Sequence, residues 1–178
     1  YVRYLDIEEG IAGVEFKNAN GTKQTRKYFS SAPDQVIAAQ YKAEGEDKMN
    51  LNFTIEPGSD ISAGGVTYEN GMAYFTGKMT VKYAARLHVV ADEGAIVETS
   101  SKGISVQNAT EVTFYLKGAT NFIGDVDSKS YFRAVTPEAV SEEVKTAIEA
   151  AVAKGFVAVE KDHIEDFTAI TKRMTFDL

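Results

Sequence analysis

Two histidines, a few adjacent acid pairs and a scatter of tyrosines are the side chains that could do chemistry in this 178-residue sequence. His88 lies in the alternating stretch Leu87-His88-Val89, where a surface or cross-strand role is expected. His163 is placed differently. A 3.6-residue period puts it on one apolar face with Phe156, Val159, Phe167, Ile170 and Met174. A buried imidazole needs a partner for at least one ring nitrogen. Asp162 and Asp166 lie off that face, so the partner is expected on another element, and a structural histidine is favoured over a catalytic base.

The remaining chemistry is thin. Asp125-Val-Asp127 could seed a calcium loop, but the other ligands, the glycine and the closing acid of an EF-hand are missing at their spacings. Gly64-Gly65 lacks the surroundings of a phosphate-binding loop. No serine sits in G-x-S-x-G, so no triad is visible. Glu8-Glu9 and Glu142-Glu143 read as solvated surface pairs rather than carboxylates flanking a sugar. Tyr68, Tyr74, Tyr115 and Tyr131 could stack on a sugar, though core or half-buried sheet positions are the default. The expectation is no catalytic residue, no metal and no cofactor in this chain. With zero cysteines there is also no disulfide and no thiolate chemistry.

The elements that would position these residues are mostly strands. Val14-Glu-Phe16, the turn Asn20-Gly21 and the return Thr25 to Phe29 spell a hairpin. The same grammar recurs around Asn70-Gly71, between Val66-Thr-Tyr68-Glu and Met72-Ala-Tyr74-Phe75. Residues 78–90 read as one long strand, turned by Asp92-Glu93-Gly94 into Ala95 to Glu98. Glu111 to Leu116 is β-branched and aromatic on both faces, as a central strand would be. Short strands with polar turns at regular spacing predict an antiparallel β-sandwich. After residue 120 the composition shifts. Thr136-Pro137-Glu138 is an N-cap, an N1 proline and a first-turn acid. The helix they start runs to Lys154, Gly155 ends it, and a second helix follows over about residues 157–173. The expected organisation is a β-sandwich over 1–135, lacking its first strands, and a helical linker over 136–178.

Both ends of the sequence point outward. It opens inside a strand-like run, Tyr1-Val-Arg3-Tyr4-Leu5-Asp6-Ile7, and no targeting signal is visible there. At the other end Met174, Phe176 and Leu178 alternate with polar residues at strand spacing. The expectation is a segment of a longer polypeptide. Net charge is −7 with dispersed acids and no basic stripe, which argues against a nucleic-acid partner. No run approaches the roughly 20 apolar residues of a membrane span.

Several stretches resemble the N-terminal β-sandwich of the α-L-fucosidases of glycoside hydrolase family 95. They are Tyr1-x-Arg3-x-Leu5-Asp6-Ile7, then Arg26-Lys-Tyr28-Phe29-Ser-Ser31-Ala-Pro33-Asp34-Gln35-Val36-Ile37 (the most specific), then Gly118-Ala119-Thr120-Asn-Phe122. The tail His163-x-x-Asp166-Phe167-x-x-Ile170-x-x-Arg173-Met174-x-Phe176-x-Leu178 is similar to the run leading towards that family's catalytic barrel, with Thr171, Met174 and Phe176 as departures. The resemblance implies a supersandwich followed by a helical linker and an (α/α)6 barrel that holds the catalytic groups of an inverting enzyme. No catalytic position falls within this chain. By the same resemblance His163, Asp166 and Arg173 are structural linker residues, with the helix docked by its apolar stripe and Asp166 and Arg173 at its ends. The implied partner is the barrel of the same parent chain, which would act on oligosaccharides in the periplasm or outside the cell. Without that partner, exposed Phe167, Met174 and Phe176 predict self-association. A stand-alone carbohydrate-binding module is the alternative, weakened by the absence of Trp and by the helical tail.

Overall fold

Period-2 alternation of apolar and polar residues becomes antiparallel strands, and the 3.6-residue pattern after residue 136 becomes two helices. A computed structural model describes residues 1–58, 65–124 and 130–173. The strands are β1 (Val2–Asp6), β2 (Ile11–Lys17), β3 (Lys23–Ser31), β4 (Val36–Glu44), β5 (Met49–Phe53), β6 (Thr67–Glu69), β7 (Met72–Lys78), β8 (Lys82–Ala91), β9 (Ile96–Ser100), β10 (Gly103–Ala109) and β11 (Glu111–Thr120). Helices α1 (Pro137–Lys154) and α2 (Phe156–Thr171) follow.

An eight-stranded sheet in the order β1-β2-β3-β4-β11-β8-β7-β6 faces a three-stranded sheet in the order β5-β10-β9. The protein is mainly β and antiparallel, with two C-terminal helices, as the sequence predicts. Register divides the large sheet's residues between its two faces. Val112, Phe114 and Leu116 point into a core shared with Met49, Ile104, Val106 and Leu87 of the inter-sheet layer. Tyr115, one residue out of phase, joins Ala38, Ile11 and Phe29 under the helices, against Ile148, Phe156 and Val159. The strand predicted to be central, β11, lies between β4 and β8.

Both Asn-Gly turns form where they are expected. Gly21 has φ 84°, and Asn70 and Gly71 have φ 48° and 73°, the left-handed pair that a two-residue hairpin requires. The long strand predicted over residues 78–90 starts later, at Lys82, and runs to Ala91 as β8. A tight turn at 79–81, in which the Met79 N–H donates to the Val81 carbonyl at 3.0 Å, reverses the chain so that Lys78 pairs with Lys82. The segment after Asp92-Glu93-Gly94 does not fold back on β8 but crosses into the small sheet as β9. Two close approaches shape the large sheet. A Cβ on Gly13 would lie 2.2 Å from the Tyr4 ring, and one on Gly77 would lie 1.9 Å from the Tyr83 hydroxyl. Each tyrosine crosses the bare backbone of its paired strand.

Thr136 caps α1, its hydroxyl accepting from the Ala139 N–H at 3.2 Å. Gly155, at φ 82°, ends α1 and opens α2 without a side-chain cap. Among the described residues, no helix is long and apolar enough to cross a membrane. The strand-like alternation of Met174, Phe176 and Leu178, the pair Asp125 and Asp127, and Gly64 lie outside the described residues.

Candidate functional site, the junction of sandwich and helices

Polar side chains from three elements converge where α1 meets α2 against the β3–β4 turn. That turn is built by Ser31-Ala-Pro33-Asp34-Gln35. The Ser31 hydroxyl donates to Asp34 Oδ2 at 2.7 Å and accepts from the Asp34 N–H at 3.2 Å. Gln35 takes φ 58°, its amide donating to the Ala32 carbonyl at 2.8 Å. The other oxygen of Asp34 is left facing the helices. Lys154, the last residue of α1, places its ammonium 2.5 Å from that Oδ1 and also pairs with Asp162 of α2. Hydrogen bonds to Asp162 and then Asp34 push the lysine's pKa up, against a small cost of burial. One cation therefore ties the sandwich turn to both helices at the bend between them.

A second tie lies at the next residue of α2. His163 is 3% exposed and stacks on Phe29 of β3, with ring centroids 4.8 Å apart and planes 20° from parallel. Its Nε2 sits 3.2 Å from the Gly10 carbonyl, which assigns the donated proton to that nitrogen. The partner that the sequence could only place elsewhere is thus a backbone oxygen of the β1–β2 turn. Gly10 has φ 69°, and a Cβ there would touch the Phe167 ring at 3.0 Å. Phe156 packs on Phe29 at 5.3 Å, Lys27 pairs with Glu160, and the Thr171 hydroxyl donates to the Glu8 carbonyl at 3.3 Å.

The other linker residues named from sequence are not drawn into this network. Asp166 and Arg173 are both exposed. Neither side chain has a hydrogen bond or ion pair among the described residues. The apolar stripe docks through Phe156, Val159 and His163, with Phe167 half-buried, while Ile170 is 63% exposed. His88 is half-buried on β8 opposite Tyr115 and Met72, with Nδ1 unpartnered. Burial and then the neighbouring Arg86 hold its pKa down, with Glu149 opposing. Arg86 is 7% exposed, lies 4.3 Å over the Tyr74 ring and donates to Met72 Sδ. Tyr115 is buried, Tyr68 and Tyr74 are half-buried, and Tyr131 is exposed. Glu142 pairs with Lys145 and Glu143 with Arg133. Among the described residues, no three His, Asp or Glu side chains gather as a metal site would require.

Lys154 and Asp34 were within reach of sequence reasoning but were not assigned. A basic residue in a last helical turn, just before a glycine, is a helix-end signal. Asp34 sits inside the most specific motif. What the sequence could not show is that they meet.

The arrangement fixes both helices to the sandwich at two points. Residues 1–125 match the family model described as glycosyl hydrolase family 65, N-terminal domain, and the chain belongs to that family. The match supports an N-terminal domain of a glycoside hydrolase; it does not name family 95 or a fucosidase. No curated protein matches the chain.

Proposed function

We propose that this chain is the non-catalytic N-terminal sandwich and helical linker of an α-L-fucosidase-like, inverting glycoside hydrolase, and that it orients the parent's catalytic barrel. The observation that carries this reading is the junction at Lys154. A flexible tether would need no ion pair shared between both helices and the sandwich, and no buried histidine bonded to the β1–β2 turn. A helical pair fixed at two points transmits orientation instead. The domain division at residue 136, the linker roles of His163, Asp166 and Arg173, and the fucosidase assignment within the glycoside hydrolases belong to this proposal. The last of these rests on the motifs around Arg26 to Ile37 and at both ends of the chain.

The test is to immunopurify the native polypeptide that carries this segment and assay it on 4-nitrophenyl α-L-fucopyranoside beside the 178-residue chain. The native polypeptide is expected to release 4-nitrophenol and the isolated chain to release none. Turnover by the isolated chain would overturn the non-catalytic reading. A native polypeptide that cleaves other glycosides but not this one would overturn the fucosidase assignment alone.

A further inference from the structure

Strand β8 turns Ala84, Arg86 and His88 towards α1, one after another at strand period. The helix lies across them. Ala84 shares a buried cluster with Val140 and Val144, and Tyr115, opposite His88 in register, packs in the core with Ile148. Arg86 carries a permanent charge and is 7% exposed, yet it makes no ion pair among the described residues. Its contacts are the face of Tyr74 and Met72 Sδ, and its Nε is buried without an acceptor. Two residues on, His88 holds its Nδ1 buried and unpartnered as well. The space beneath α1 therefore contains one donor to spare and one ring nitrogen to spare, beside a buried cation.

A neutral imidazole with its proton on Nε2 leaves Nδ1 as a bare acceptor, the form that a neighbouring guanidinium tolerates. A second proton puts an N–H on Nδ1 where no acceptor stands, and a second positive charge beside Arg86. The other groups around the ring do not offset this. On β7 the Tyr74 hydroxyl donates to Glu69 at 2.9 Å. On β11 Tyr115 stays neutral, its hydroxyl pushed up to about 12 by burial and then by Asp34. Lys117, opposite Arg86, donates to the Gln35 carbonyl at 3.2 Å. On α1 Glu149 attracts a charged ring but is exposed, so solvent screens it, and Lys145 pairs with Glu142 at 3.4 Å.

We propose that His88 is an acid-operated latch, in which a second proton on its ring unseats α1 from β8. Lifting the helix admits water to the new N–H and to both cations. The direction follows from what surrounds the ring in the closed form. Burial and then Arg86 hold the pKa of His88 below its ordinary value of about 6.5, with Glu149 opposing. The opened form takes up the proton at the ordinary value. The latch is therefore fully closed above about pH 6.5 and weakens as pH falls from there to the lower closed value. One proton taken up on opening raises the opening constant by up to about tenfold per pH unit within that window. Because α1 ends at Lys154, an unseated helix also slackens the tie to Asp34. The inference does not rest on the proposed enzymatic role.

Amide hydrogen exchange of the 178-residue chain at about pH 7.5 and about pH 5.5, corrected for the intrinsic rates, tests it. Protection from Val140 to Ala151 is expected to fall several-fold on acidification, while β10 and β11 keep theirs. His88→Gln, which cannot take up the proton, is expected to abolish that fall. The chain has only two histidines, so the variant also identifies the His88 imidazole signal in NMR spectra, and His88 should titrate below about 6.5. Should the variant not fold, titration of the unmodified chain decides: one imidazole midpoint below about 6.5 must coincide with the change in the α1 amides. Protection in α1 that does not change with pH overturns the proposal. So does an equal fall in His88→Gln, a fall shared by every strand, or a His88 that titrates at or above its ordinary value.

Discussion

The ammonium of Lys154 lies 2.5 Å from Asp34 Oδ1 across 120 residues of chain, and it holds Asp162 at the same time. A helix end, a strand turn and the next helix therefore share one charge. Lys154→Met is expected to leave the sandwich folded while loosening α2, with amide hydrogen exchange in Phe156–Thr171 accelerating more than in the strands. The coupling is pH-dependent in a defined direction. The folded pKa of Lys154 is raised, so its contribution is fully present below the ordinary lysine value of about 10.4 and lost as pH rises through the raised one. Exchange in α2 of the unmodified chain should approach that of Lys154→Met only in strong alkali. Exchange in the variant that matches the unmodified chain at neutral pH would show the pair to be idle.

His163→Ala removes a ring stacked on Phe29 and leaves the Gly10 carbonyl without its donor. A loss of about 2–4 kcal/mol in urea unfolding is expected, from the cavity and the unpaired oxygen together. His163→Phe refills the space but not the hydrogen bond, so about 1–2 kcal/mol should remain lost. Equal losses in the two variants would show that the bond to Gly10 contributes nothing.

Gly13→Ala brings a methyl against the Tyr4 ring, which lies where a Cβ would stand. A cost of about 1–3 kcal/mol is expected, because the ring must move off the sheet. Tyr4→Ala in the same chain should relieve most of that extra cost. A double-mutant cycle in thermal unfolding reads the coupling directly.

Asp92 accepts from the N–H groups of Thr110 and Glu111 at 2.8 and 2.9 Å and from the Thr110 hydroxyl at 2.8 Å. Burial alone would raise its pKa, but these donors outweigh it and hold the carboxyl below the usual range. The stabilisation is present above the unfolded value near 3.9 and is lost as pH falls through the lower folded value. Asp92→Ala should cost about 1–3 kcal/mol at neutral pH. The gap from the unmodified chain should narrow on acidification below about pH 4. A gap that stays constant down to pH 2 would contradict this.

What could be read from the sequence was local. Asn20-Gly21 and Asn70-Gly71 announce their hairpins because the left-handed conformations they require exclude most other residues. The turn at residues 79–81 carries no such residue, so the periodicity runs through it and starts the second strand at Lys78 rather than Lys82. His163 could be recognised as buried and in need of a partner, but Gly10 is 153 residues away and a backbone oxygen carries no sequence signal. Ile170 was expected to dock because it shares the stripe; helical period fixes the direction of a side chain but not what lies beneath it. The crossover of β9 into the small sheet was hidden for a similar reason, since a turn after Asp92 reads the same whether the chain returns to its own sheet or leaves it.

The central claim is that this chain is one domain of a longer glycoside hydrolase. It is tested most directly by the size of the native polypeptide, blotted from source cells with an antibody raised against residues 1–124. A band several times larger than 19.4 kDa is the predicted result, and it directs the search for catalytic residues to the part beyond the helical pair. A band near 19.4 kDa would contradict the account, since the domain would then act alone.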